Sequence, residues 1–295
     1  MPDGMSIVQD MAQPQVRLVL LHHRRLDAHG PADGLLERLF VERLKPIEVA
    51  LQVIKEPLVP DYRHIAYNDL AAAEAAITDQ TAAIIVEVVQ GEGGVRPGSG
   101  DYLRGLQKLC QERGAMFVVD EVQTGFGRTG KMFAYQHYDL QPDLMPLAKS
   151  IAGGLPMGAC LIGDRVGELP PMTHGTTFGG NPLTCAAAIA ALDALVGEDL
   201  PGKAGALGGW MLERLADLPA DKVREVRGLG LLIGIELRSK VTPALRALQD
   251  QGVLALPAGT TVLRLLPPLV ISQDDLEQVA QAIERVLAAM PALAS

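Results

Sequence analysis

Little in this chain would tie it to nucleic acid, to a membrane or to an oxidising compartment. Aromatic residues make up only 4% of its 295 positions, so a core must be built mainly from Ala, Leu, Val and Ile. The three cysteines, Cys110, Cys160 and Cys185, lie far apart and match no zinc-ligand spacing. A disulfide framework is not expected; reduced, packed thiols are. Positive charge is outweighed, with 26 Lys and Arg against 35 Asp and Glu for a net charge of −9, and like charges never run in long blocks. Binding to DNA or RNA through clustered Lys and Arg is therefore not expected, although small anionic ligands stay possible. No apolar run approaches the ~20 residues of a membrane span. The opening MPDGMSIVQDMAQPQ has no basic stretch followed by an apolar one, so neither a secretory signal nor a membrane partner is expected, and cytoplasm is the default location.

What is present suffices for a substantial core. Hydrophobic residues make up 48% of the chain, enough for one large domain or two smaller ones. Residues 1–48 show no sustained period. From Asp69 the pattern sharpens: DLAAAEAAIT opens on an Asp cap and predicts a short helix. AAIIVEVV, residues 82–89, predicts a buried strand, DYLRGLQKLCQERG a helix with Leu103, Leu106, Leu109 and Cys110 on one face, and AMFVVDEV a second buried strand. Strand, helix, strand in that order make a βαβ unit and a parallel sheet. The alternation continues through DLMPLAKSIAGG, MGACLIG and the helical NPLTCAAAIAALDALV. Beyond about residue 198 come a charged amphipathic helix, one strand in REVRGLGLLIGIEL, a helix around TPALRALQD and short extended segments. A last helix, capped by Ser272 with Asp275, buries Leu276, Val279, Ile283, Val286 and Leu287. The expected architecture is a parallel α/β domain followed by a smaller α+β domain.

Residues 117–131, FVVDEVQTGFGRTGK, invite two readings. GFGRTGKM nearly matches a nucleotide phosphate loop, but Met132 stands where a Mg²⁺-binding hydroxyl is needed. The apolar strand also ends well before the first glycine, whereas a phosphate loop leaves its strand directly. Gly125, Gly127 and Gly130 then serve backbone turns. The alternative rests on Glu87, Asp120 and Lys149, which sit at ends of predicted strands, where ligands of parallel sheets bind. A lysine amine and a carboxylate there suit pyridoxal phosphate: the amine bonds to the cofactor aldehyde and moves a proton, and the acid keeps the pyridine nitrogen protonated. A lone lysine after an apolar run is ordinarily a solvated surface residue; the sequence around Lys149 sets it apart.

That sequence resembles the class III pyridoxal-phosphate aminotransferases. The likeness rests on VVDEVQTGFGRTGK, LAKSIAGGLPMGA, HGTTFGGNPLTCAAA and LRLLPPLVI, four motifs in the family's order, from about Lys55 to the C-terminus. Within the family it is most similar to the acetylornithine branch, which includes enzymes acting on lysine attached to an amino-group carrier protein. The resemblance implies a fold type I transferase: a mostly parallel central sheet with helices on both faces and a smaller C-terminal α+β domain. The expected division is an unassigned segment 1–48, a partial cofactor-binding domain 49–197 and a small domain 198–295. It implies Lys149 as the Schiff-base lysine, Asp120 as partner of the pyridinium nitrogen and Gln123 near the phenolic oxygen. Thr177, with Thr176 as the weaker candidate, matches a phosphate ligand donated across a homodimer. Arg264 matches the arginine that binds the substrate α-carboxylate, Glu92 the acid that pairs with it and can release it, and Glu87 a further site acid. His174 is read as a loop residue, not a base. The reaction implied moves a terminal amine from acetylornithine or carrier-linked lysine to 2-oxoglutarate. Ornithine or another ω-amino acid as donor, a mutase or decarboxylase on the same fold, and an inactive fragment are the alternatives.

Residues 1–48 depart from the family. Its upstream phosphate-binding turn and its aromatic residue followed by His are not found there, and Val88 replaces a proline usual after the first site glutamate. The expectation is a reading frame that starts late or shifts, in preference to a variant that lost part of its site.

Overall fold

A computed structural model describes residues 18–22, 62–167 and 175–291. The first strand, β1 (Leu18–His22), lies within the segment in which the sequence shows no period. It pairs antiparallel with both β2 (Tyr62–Ile65) and β3 (Thr81–Glu87). Helix α1 (Leu70–Ala76) starts where Asp69 accepts the Ala72 N–H at 2.8 Å, as its sequence predicts. The strand expected over 82–89 divides at Val88. Beyond it, β4 (Val89–Gln90) and β5 (Arg96–Pro97) form a small ribbon around the loop 91–95. Tyr67 fixes that break, its hydroxyl donating to the carbonyls of Glu87 at 2.8 Å and Val88 at 2.9 Å.

Helix α2 (Gly100–Arg113) begins at Ser99, whose hydroxyl caps the Tyr102 N–H, and ends at Gly114 with φ 73°. It buries Leu103, Leu106, Leu109 and Cys110, the face read from the sequence. Strands β6 (Met116–Asp120) and β7 (Leu144–Leu147) extend the sheet parallel to β3, and β8 (Ala159–Ile162) closes it antiparallel. The order is β2-β1-β3-β6-β7-β8. The sheet is thus mixed: β2, β3, β6 and β7 share one direction.

After helices α3 (Pro182–Gly197) and α4 (Leu200–Arg214) the chain builds a second sheet. REVRGLGLLIGIEL, expected as one strand, is a hairpin of β9 (Val223–Leu229) and β10 (Leu232–Leu237). It reverses at Gly230, whose φ of 55° suits a residue without Cβ. Helix α5 (Thr242–Asp250), β11 (Leu256–Ala258), β12 (Val262–Leu265) and helix α6 (Gln273–Ala289) complete the chain's described part. The sheet order is β11-β12-β10-β9, antiparallel throughout.

Every residue of β10 is buried. Ile233, Ile235 and Leu237 pack against α4, α5 and α6, whereas Leu232 packs with Val95 and Val262 in the core shared with the larger sheet. The second sheet therefore presents one face to its own helices and the other to the loop that leaves β3. Among the described residues no helix is long and apolar enough to cross a membrane.

Candidate functional site

Three strand ends meet at one edge of the larger sheet. Glu87 and Asp120 are register partners at the ends of the parallel strands β3 and β6. Lys149 follows the neighbouring strand β7 by one intervening residue, on a 3₁₀ turn, with φ 52°. A lysine in that left-handed region costs on the order of 1 kcal/mol, a strain typical of sites where the chain is over-determined. The edge placement expected for Lys149 and Asp120 is what the topology gives.

The charges at this edge act on one another. Burial lowers the proton affinity of the Lys149 amine and like charge on Arg264 adds to it, while Glu92, Glu87 and Asp120 oppose it. Burial raises the Asp120 carboxyl, and the Val122 N–H at 2.9 Å and Lys149 pull it back. Glu87 is pushed up to about 7, first by burial and then by Asp120, against the Gly91 N–H at 3.1 Å and Lys149. A group near neutrality beside a lysine with a depressed affinity suits proton movement.

Across from this edge stands Arg264 of β12. It is 5% exposed, yet its Nη1 donates to Glu92 Oε1 at 2.7 Å and to Gln123 Oε1 at 3.2 Å. Gln123 Nε2 in turn donates to Glu92 Oε1 at 3.4 Å. The buried Nε of Arg264 has no hydrogen-bond partner. A guanidinium held by one acid can exchange it for another carboxylate in the fork geometry guanidinium favours. Gly91 keeps the space open, since a Cβ there would lie 2.5 Å from Gln123 Oε1.

The glycine-rich loop belongs elsewhere. Lys131 is exposed and donates to the Gln136 carbonyl at 2.9 Å. Arg128 is spent on the carbonyls of Leu231 at 3.1 Å and Pro267 at 2.5 Å, and burial lowers it to about 10. The loop bridges the two sheets as a packed element, in line with the sequence argument against a phosphate loop.

Glu121 carries no site role in the sequence reading, yet it anchors this loop. It is fully buried, taking the Tyr135 N–H at 2.8 Å and the Thr124 hydroxyl at 2.5 Å. Glu121 lies one residue past β6, where strand alternation no longer tells a buried acid from a solvated one. Arg227 was likewise passed over. Thr176 and Thr177 stand on exposed chain ahead of α3, and no hydrogen bond among the described residues joins them to the cluster. His174 lies outside the described residues.

The donor set fits pyridoxal phosphate on its aldehyde, ring-nitrogen and substrate sides. Lys149 would meet the aldehyde and Asp120 the ring nitrogen, with Gln123 beside the ring's oxygen; Arg264, held by Glu92 through Nη1, would take a substrate carboxylate. Among the described residues no cluster of His, Cys, Asp and Glu could hold a metal ion.

Comparison with known proteins gives the family. The Aminotransferase class-III family matches residues 42–287, starting ahead of Lys55. A [LysW]-aminoadipate semialdehyde transaminase of Deinococcus radiodurans is 49% identical over 225 residues, covering 76% of this chain and 52% of that protein. An acetylornithine aminotransferase of Streptococcus mutans is 42% identical, covering 77% of this chain and 61% of that one. Among solved structures, the ornithine aminotransferase of Toxoplasma gondii superposes with a TM-score of 0.75 at 35% identity, over 79% of this chain and 58% of its own. The chain thus spans between about half and three fifths of the length of these relatives.

Proposed function

The chain belongs to the class III aminotransferases, and from that premise we propose that it moves the terminal amino group of N-acetylornithine, or of lysine carried on a carrier protein, to 2-oxoglutarate. The observation that carries this reading is the Arg264–Glu92 pair at 2.7 Å, facing the strand edge of Asp120 and Lys149. Pyridoxal phosphate, when bound, supplies an aldehyde that exchanges amines and a ring that takes up an electron pair. Lys149 would hold the cofactor through its amine and would move the proton at the reacting carbon. Asp120 would keep a proton on the ring nitrogen. Glu92 neutralises Arg264 while the donor is bound. When the dicarboxylate acceptor arrives, Glu92 turns aside and the guanidinium pairs with the acceptor's α-carboxylate. That alternation suits two carboxylate-bearing substrates in turn and favours amino transfer over a mutase or decarboxylase.

The names of the relatives support a terminal amine and divide over which one: [LysW]-aminoadipate semialdehyde, the aldehyde form left when such an amine has given up its nitrogen, acetylornithine and ornithine all occur. The same reading takes residues 49–197 as the cofactor-binding domain and 198–295 as the small domain. It places the protein in the cytoplasm as a homodimer in which Thr177 serves the partner's cofactor phosphate.

The test is the Lys149→Ala variant with added cofactor. It should lose the visible absorbance that the cofactor gains on bonding to lysine and all amino transfer from acetylornithine to 2-oxoglutarate. Turnover retained by the variant would refute the assignment. Comparing kcat/KM for acetylornithine, ornithine and carrier-linked lysine then fixes the donor.

A further inference from the structure

The pair Glu92–Arg264 depends on a loop whose own backbone is strained. Gly94 has φ 103° and the next residue, Val95, has φ 50°. A β-branched residue in that region is a genuine outlier that must be held by its surroundings. The holder is Arg227 of β9, which is 8% exposed. Its Nε donates to the carbonyls of Gly94 and Val95, both at 3.0 Å, and its Nη2 to Gly94 again at 2.5 Å.

The charge of Arg227 is not what the loop uses. Its Nη1 is taken by Glu236 and Glu225, each at 2.7 Å. Glu236 is also bound by Arg224 at 2.8 Å and by Arg96, at the far end of the loop, at 3.3 Å. What remains is a directed grip on two carbonyls.

Sheet register explains why that grip bears on the site. Arg227 pairs with Gly234, and Gly234 pairs with Arg264, so the three share one row and one face. The loop crosses this face at Gly234, where a Cβ would come within 2.7 Å of the Val95 Cβ. Its first half meets Arg264 through Glu92, and its second half meets Arg227 through Gly94 and Val95. Two arginines on either side of a glycine thus hold opposite halves of one loop.

We propose that Arg227 is a positioning residue: by pinning the Gly94 and Val95 carbonyls it keeps Glu92 opposite Arg264, and so sets how strongly Glu92 competes with an incoming carboxylate. The function of the clamp rests on Arg264 being the carboxylate-binding arginine; the clamp itself rests on the geometry alone. With the backbone fixed, Glu92 can turn its side chain away and return without the loop unravelling. Without the clamp, Glu92 meets Arg264 less often and the guanidinium is freer for a ligand.

The test is a double-mutant cycle on the full chain loaded with cofactor, titrated with glutarate by calorimetry. Glu92→Gln and Arg227→Met should each tighten glutarate binding by about three- to tenfold, a size usual for coupled neighbours, and the double variant should match Glu92→Gln alone. A purely structural Arg227 would weaken binding, or act equally in both backgrounds, and either result overturns the proposal. Gly234→Ala, which pushes Val95 off the sheet without touching any charge, should act as Arg227→Met does. Amide exchange of the 91–95 segment gives a readout free of ligand: it should quicken in Arg227→Met, and unchanged exchange sinks the clamp. If Glu92→Gln leaves glutarate binding unchanged, the carboxylate reading of Arg264 fails, and exchange still decides on Arg227. Should Arg227→Met not fold, Arg227→Lys keeps the charge beside Glu236 while losing the two-nitrogen grip, and it is read in the same way with Gly234→Ala.

Discussion

Helices α6 and α3 are close in length, 17 and 16 residues, and make opposite use of their surfaces. In α6 the apolar residues form one stripe: Leu276, Ala280, Ile283 and Leu287 are buried at spacings of three and four. Its polar side carries Glu277 and Glu284, both bound by Arg214 of α4, at 2.9 and 2.6 Å. In α3, PLTCAAAIAALDALVG, Asp193 is the single charge, and the helix is apolar on all sides. Yet it buries only Thr184, Ala188 and Leu195. Leu183 is 71% exposed, Ile189 61% and Val196 64%, with Phe178 just ahead at 81%. A helix apolar all round belongs in an interior, and an uncovered face of this kind marks a surface that meets something else. The surroundings of α6 are complete within the described chain, and those of α3 are not. The homodimer proposed above would give α3 a cover.

The largest effect should come from the inner stripe of α6. Ile283 is 2% exposed within the core of the second sheet. Ile283→Ala should lower the unfolding free energy by about 2–5 kcal/mol, measured by urea denaturation, at any protein concentration. A loss that appears only in dilute protein would mean that α6, too, is completed by a partner, and the contrast would fail.

The same two helices show what could be read from sequence. Ser272, Asp275 and the stripe of α6 were legible because caps and a 3.6-residue period are local signals. The outer face of α3 was not, since a run of alanines and leucines has no polar side from which to infer direction. Asp120 and Lys149 were legible as residues at the ends of parallel strands, Lys149 falling one residue past its strand. Arg264 and Glu92 were named through resemblance, and their 2.7 Å contact spans 172 positions of sequence, which no period encodes. Arg227 was missed because REVRGLGLLIGIEL reads as one strand. Its reversal at Gly230 lacks the Asn-Gly or Asp-Gly signal of a tight hairpin, and without that turn the row Arg227–Gly234–Arg264 does not form. Glu121 was missed because a carboxylate buried by a backbone N–H and a neighbouring hydroxyl looks, in sequence, like a solvated one.

A smaller effect sharpens the comparison at the start of α6. Ser272 Oγ accepts the Asp275 N–H at 3.1 Å and donates to its carboxylate at 2.6 Å. Ser272→Ala removes both and should cost about 1 kcal/mol, again without dependence on concentration. Thermal unfolding at two concentrations checks it, and a shift confined to the dilute sample would count against α6 as a closed element.

The smallest effect on the isolated chain should come from the outer face of α3. Ile189→Ser removes apolar surface that water already reaches, so the chain's own stability should change by no more than about 0.5 kcal/mol. If a second copy covers that face, the parent protein should melt at higher temperature as its concentration rises, because association stabilises only the folded state. Ile189→Ser should flatten that dependence and shift sedimentation toward the single chain. A parent protein whose melting does not move with concentration would leave α3 uncovered by a second copy. An Ile189→Ser variant destabilised as strongly as Ile283→Ala would mean that the residue is buried within one chain after all.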